Sequence, residues 1–320
     1  MRTFIQPLLT TLLLGLFLGC TAPKEDCDTG DCTTDTDTAA TGDTAATGDT
    51  ARNLVAIGYN TNSGTNELHS IDVETGEVTT LLAFSFDAGW WYPGIVSDSE
   101  NGVLYCVSGS GMLYRLAMDG SDIERVGLLT QDIQAMALGN DGLIAIGYDN
   151  FADENVLRAV DTESGAVSDI MSFEFKAGSW EVFIVPDREA GVIYATDTEH
   201  RLYKIAMDGS EVDVVGQWFD PHIYMGLGVD GLIGIAENDK TKMLEVLSLS
   251  TTTAEVSSLI SFEFDTAIWD SYVVTDPDAG VFYATSAAQT LYRFQMDGSA
   301  VEAVATLDTS IQAMGMGPYN

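Results

Sequence analysis

The residues best suited to chemistry are aromatic rings that lie beside carboxylates in short segments between apolar runs. Asp87-Ala-Gly-Trp-Trp-Tyr-Pro93, Lys176-Ala-Gly-Ser-Trp-Glu181 and Asp265-Thr-Ala-Ile-Trp-Asp270 follow one another at intervals of 89 residues, and Trp218-Phe-Asp-Pro-His222 lies between the last two. Together they offer Trp90, Trp91, Tyr92, Trp180, Glu181, Trp218, His222, Trp269 and Asp270 as a candidate ligand-binding set. Exposed rings stack on sugars and hold cations over their faces, so such a set suits a protein, peptide or glycan ligand. Trp91, Trp180 and Trp269 recur once per interval, as a packing wedge also would. Trp90 and Trp218 do not recur, which favours them for binding. His69, His200 and His222 are the only histidines. No Ser-His-Asp or Cys-His arrangement accompanies them, and no glycine-rich loop opens a helix to cradle phosphate.

The elements that must position these residues are themselves periodic. Ala117-Met-Asp-Gly-Ser121 returns as Ala206-Met-Asp-Gly-Ser210 and as Gln295-Met-Asp-Gly-Ser299, again at offsets of 89. The same offset relates Phe84 to Phe173 and Phe262, and Tyr105 to Tyr194 and Tyr283. Each long repeat divides into two similar halves of about 45 residues, the length of a four-stranded propeller blade. The runs are short, β-branched or aromatic, and separated by Gly, Asp and Asn turns, which is strand-and-hairpin chemistry. The first unit opens at Leu54 with a second strand, and its missing inner strand appears at the other end, where Ile311-Gln-Ala-Met-Gly parallels Ile133-Gln-Ala-Met-Ala. The sequence therefore predicts an all-β, six-bladed β-propeller over 54–320, three double-blade repeats closed by a C-terminal strand. His69 falls on a third strand, far from the channel, and His200 on a strand-connecting loop.

Gly191-Val-Ile-Tyr-Ala-Thr-Asp197, followed by Leu202-Tyr-Lys-Ile-Ala-Met-Asp-Gly-Ser210, resembles the YWTD repeat of the LDL-receptor class, with Ala195 where that repeat has Trp. The resemblance implies a six-bladed propeller that binds proteins or peptides on one face, and it transfers no ligand. Six-bladed metal-dependent lactonases suggest an alternative: Ca2+ in the channel, held by Glu181, Asp270 and His222 with Gln134 and Gln312 nearby, serving a hydrolase. The inner strands are largely apolar, so the leading expectation is a non-catalytic binding module, not an enzyme, without cofactor.

Residues 1–20 read as an export signal. Met1-Arg2 supplies the positive end, Leu8 to Leu18 is apolar but short for a membrane span, and Leu16-Phe-Leu-Gly-Cys20 resembles a bacterial lipobox. Cys20 is the expected lipidation site. The expected location is the cell envelope, at the outer membrane or cell surface, with the membrane engaged through lipid alone. Residues 21–53 are a Thr/Asp/Ala/Gly linker, including a hexapeptide repeated from Thr44 to Asp49. Cys27 and Cys32 lie close together in it and could pair in an oxidising compartment. Cys106 aligns with Ala195 and Ala284, which marks a small core residue and not a reactive thiol. The whole sequence carries 49 acids against 13 bases, a net charge of −36. That excludes nucleic acid and electrostatic adsorption to anionic lipid, and a solvated monomer is expected.

Overall fold

The computed structural model of the chain describes residues 53–88, 95–149, 151–174, 183–217, 224–238, 240–241, 243–262 and 273–318. The signal, the linker and their cysteines Cys20, Cys27 and Cys32 lie outside them. Strands and turns make up the described residues, which contain no helix and hence none long and apolar enough to cross a membrane.

In chain order the first strands are β1 (Leu54–Asn60), β2 (Thr65–Ile71) and β3 (Val78–Phe84). The second blade holds β4 (Ile95–Asp98), β5 (Val103–Val107), β6 (Met112–Ala117) and β7 (Ile123–Leu128), and the third holds β8 (Ala135–Leu138), β9 (Leu143–Asp149), β10 (Glu154–Val160) and β11 (Val167–Phe173). The fourth holds β12 (Phe183–Asp187), β13 (Val192–Thr196), β14 (Arg201–Ala206) and β15 (Val212–Gln217), and the fifth β16 (Tyr224–Leu227), β17 (Leu232–Glu237), β18 (Leu244–Leu249) and β19 (Val256–Phe262). The sixth holds β20 (Val273–Asp276), β21 (Val281–Thr285), β22 (Thr290–Gln295) and β23 (Val301–Thr306), leaving β24 (Ser310–Met316). β24 pairs antiparallel with β1, so the first blade has the order β24-β1-β2-β3 and joins the two ends of the chain. The inner strands β24, β4, β8, β12, β16 and β20 approach one another in that order and back to β24, which closes a ring of six. This is the six-bladed architecture that the repeat and the YWTD resemblance implied.

A propeller blade buries both of its faces, so its middle strands read as nearly continuous apolar runs. Alternate residues of β1 serve different neighbours. Leu54 and Ala56 pack with Tyr283, Leu291 and Ile311 towards the sixth blade, while Val55 and Ile57 pack with Leu104, Cys106 and Leu116 towards the second. Four further apolar layers fill the remaining junctions, giving one core per blade interface among the described residues. Cys106 is fully buried in the layer towards the second blade, and Ala195 and Ala284 in two of the other layers. Burial pushes the Cys106 thiol up to about 12, which leaves it unreactive.

The Met-Asp-Gly-Ser segments are the turns between third and fourth strands. Asp119, Asp208 and Asp297 each accept the backbone N–H of the serine two residues on, at 2.9, 2.9 and 2.8 Å. The glycine that follows each aspartate adopts φ of +74 or +75°, the left-handed region that a side chain resists.

One interior feature differs among the three long repeats. On β10, Arg158 is buried, donates from Nη1 to the Asp132 carbonyl at 2.5 Å and from Nε to Asp169 at 3.0 Å. It passes over Gly147, where a Cβ would lie 1.9 Å from the Asp132 oxygen and 2.3 Å from Arg158 Nη1. The corresponding residues in the first blade are His69 over Gly58, with Thr80 in place of Asp169, and Nδ1 of His69 lies 3.2 Å from Thr80 Oγ1. Burial holds His69 below its ordinary pKa, with Glu67 and Asp308 pulling the other way. In the fifth blade the pair is Leu247 with Ala236, both buried. A side chain that needs the space above the second strand thus occurs with glycine, and an apolar one with alanine.

Candidate functional site

Every blade runs up, down, up, down. The turns between second and third strands therefore share one end of the ring with the connections between blades, and the other two sets of turns share the opposite end. The sequence places all nine candidate residues on the inter-blade connections. Trp90, Trp91, Tyr92, Trp180, Glu181, Trp218, His222, Trp269 and Asp270 all lie outside the described residues, as does Cys20.

The stem of the first connection is described. Phe86 stacks on Tyr114 with ring centres 3.7 Å apart and on Phe84 at 4.5 Å. The buried Asn66 donates from Nδ2 to the Phe86 carbonyl at 2.8 Å, and Gly109 N–H donates to the Asp87 carbonyl at 3.2 Å. The chain is held by backbone and aromatic contacts up to the point where the tryptophan-bearing segment departs, and Asp87 is exposed there.

In the even blades one side chain at the end of the second strand closes the next turn. Ser108 and Ser286 accept the N–H four residues on through Oγ, both at 3.1 Å. Asp197 does the same for Arg201 at 2.9 Å, and it also accepts from Arg201 Nε at 2.7 Å and from the Tyr203 hydroxyl at 3.1 Å. Burial first, then the Asp197 charge, raises the Tyr203 pKa and keeps its phenol protonated. With its oxygens so engaged, Asp197 serves the turn and is not a free base. The residue that ends these turns is left-handed in each: Gly111 at φ +79°, His200 at +58° and Gln289 at +62°. Holding a non-glycine residue there costs on the order of 1 kcal/mol. Gln289 offsets it by accepting Ile311 N–H through Oε1 and Leu307 N–H through its carbonyl, each at 2.8 Å.

In the odd blades the frame is equally constant and the tip is not. Asn60, Asp149 and Asn238 each accept two N–H groups through Oδ1, at 2.8 to 3.2 Å, from the residues two and three positions on. The residues carried on top are Asn62, Phe151 and Lys240, all exposed, and Phe151 completely so. At the opposite end, Asp98, Asp187 and Asp276 cap their turns in the same way, accepting from the N–H of the residue three positions on at 3.2, 2.9 and 3.2 Å. These exposed tips were missed at the sequence level. Laying the 89-residue repeat over the turns, and not only over the strands, finds them.

Among the described residues no group of three or more His, Cys, Asp and Glu could hold a metal ion. Of the calcium alternative, Gln134 and Gln312 are described. Each has its Oε1 buried without a hydrogen-bond partner, at the same place in two repeats.

No protein-family model matches the chain, and no curated protein does. Many solved structures share its fold. A chain from a nidogen/laminin complex superposes with a TM-score of 0.60 at 14% identity, covering 84% of this chain and 99% of that one. TolB from Acinetobacter baumannii superposes at 0.63 and 12% identity, covering 86% of this chain and 69% of that one. A periplasmic gluconolactonase from Pseudomonas aeruginosa superposes at 0.52 and 12% identity, covering 84% and 99%. At these identities the fold is what is shared. The last comparison corrects the expectation that the chain is not an enzyme: a gluconolactonase is built on this fold, so propeller architecture does not set catalysis aside.

Proposed function

We propose that the chain is an exported, lipid-anchored propeller that engages a protein, peptide or glycan on the end of the ring carrying the inter-blade connections. One observation carries this reading. At this end a constant turn frame carries exposed side chains of very different chemistry at equivalent positions. Asn62, Phe151 and Lys240 correspond, as do Ser110, Glu199 and Ala288, and Gly111, His200 and Gln289. At the far end the capping residues Asp98, Asp187 and Asp276 correspond and Asp-Gly-Ser stands three times, while Ser99, Arg188 and Pro277 differ. Variable exposed tips on a rigid frame are where binding residues concentrate.

Glycan and peptide arrays test the reading, scored for binding and for turnover with and without calcium. Ligands should be lost when Trp90 and Trp218 are replaced, or when Phe151, His200 and Lys240 become Ser, Gly and Ser. Ligands that survive both sets, but vanish when Asp119, Asp208 and Asp297 are replaced, would put recognition at the other end. Turnover that needs calcium would bring in Gln134 and Gln312 with Glu181, Asp270 and His222. Lipid anchoring is read separately by mass spectrometry of the mature protein from its host. An acylated Cys20 at the N-terminus is expected, and any other unmodified first residue defeats the claim.

A further inference from the structure

The three odd blades put different groups at one place in the fold. In the third blade Arg158, a permanent cation, donates to the Asp132 carbonyl just ahead of the inner strand, and in the fifth the buried Leu247 needs no partner. His69 of the first blade is the titratable one, and it sits where β24 closes the ring. Its imidazole packs against Gly58 of β1 beside the Ser310 carbonyl of β24. Nε2 and that oxygen lie 2.8 and 2.7 Å from the point that a Cβ on Gly58 would occupy, so the neutral ring already fills the place. His69 is 1% exposed, and its buried Nε2 has no hydrogen-bond partner. Its Nδ1 lies 3.2 Å from Thr80 Oγ1 on β3.

We propose that His69 makes the closure of the ring acid-sensitive: once its imidazole takes a second proton, β24 leaves β1 more often, while the other inner strands stay paired. An imidazolium must place two N–H groups. Thr80 Oγ1 can accept one, but the other is buried at Nε2 without a partner, and exposure to water repairs that loss. Asp308 and Ser310 are exposed, so water reaches the ring as soon as the start of β24 lifts. The charges acting on His69 are Glu67 on its own strand, with Oε2 3.8 Å from Nε2, and Asp308 on the connection into β24. β1 faces it with Gly58 and β3 with Thr80, neither of them charged. Both acids favour the protonated form, yet burial outweighs them and holds the group below its ordinary value of 6.5. Because the folded value is the lower one, the closure is at full strength above pH 6.5 and weakens as pH falls from there towards the folded value. The third and fifth blades, with Arg158 and Leu247, have nothing at this place that titrates in the same range.

Hydrogen exchange on the whole chain tests this, read as the protection of β24 relative to β8 in one sample, so that the intrinsic effect of pH on exchange divides out. In the native protein the ratio should be steady above about pH 7 and fall about tenfold by about pH 5. His69→Leu, which uses the residue of the fifth blade, should keep it constant over that range. Glu67→Gln should steepen the fall, because it removes one of the two charges that favour the imidazolium. A ratio that does not move in the native protein, or that moves equally in His69→Leu, would overturn the proposal. If His69→Leu fails to fold, proton NMR of the native imidazole decides. Titration below pH 6.5 is expected, and titration at or above it means that acid does not loosen the ring through His69.

Discussion

Gly147→Ala should destabilise the propeller by about 3 kcal/mol, and adding Arg158→Leu to the same chain should restore part of that loss. The added methyl would sit 1.9 Å from the Asp132 carbonyl and 2.3 Å from Arg158 Nη1. The guanidinium would have to leave the carbonyl, stranding a buried charge whose remaining carboxylate partner, Asp169, is half exposed. Arg158→Leu alone should cost about 1 to 3 kcal/mol, because it abandons the Asp132 carbonyl. The double variant recreates the combination Ala236 with Leu247 that the fifth blade already contains. The two changes should therefore be non-additive, with a favourable coupling of about 1 kcal/mol or more in a double-mutant cycle from urea unfolding. Strict additivity would show that Gly147 and Arg158 do not depend on each other.

Removing residues 309–320 should abolish cooperative unfolding altogether. The truncation strips Ile311, Met314 and Met316 from the layer between the sixth and first blades, where all three are buried. Loss of one large core side chain costs about 2 to 5 kcal/mol, so three together rival the roughly 5 to 15 kcal/mol that holds a typical domain folded. It also bares the β1 edge that β24 covers, inviting association between copies. A permuted chain that carries residues 309–318 ahead of Asn53 should melt cooperatively, because the same strand then reaches the same edge. Scanning calorimetry of the two forms decides: a truncated chain that melts like the native one would mean that the other five junctions suffice to close the ring.

The ring was legible because the interval of 89 residues keeps the same residue types on strands and turns. Phe84, Phe173 and Phe262 announce it, and the small buried set Cys106, Ala195 and Ala284 settles how the second strands align. His69, Arg158 and Leu247 were illegible for the opposite reason. They share no chemistry, and their meaning lies in a second position, Gly58, Gly147 or Ala236, on a neighbouring strand. Phe151 left no signal either, since a lone exposed ring belongs to no period and only a comparison of equivalent turns isolates it. Nor could composition decide about catalysis, which depends on a few polar groups that any propeller can carry at its mouth.

The chain does not join the ring at an edge. β1 lies inside its sheet between β24 and β2, with the Asn53 carbonyl accepting Gly317 N–H at 2.8 Å and Asn53 Nδ2 donating to Ser70 Oγ at 3.1 Å. Any pull transmitted through the residues before Asn53 consequently runs along β1 and loads two ladders in shear at once, so their hydrogen bonds share the force instead of opening one by one. An edge strand pulled outward would unzip. A protein held at that end against flow or drag would for this reason yield late, and the first thing to give would be both borders of a single strand together.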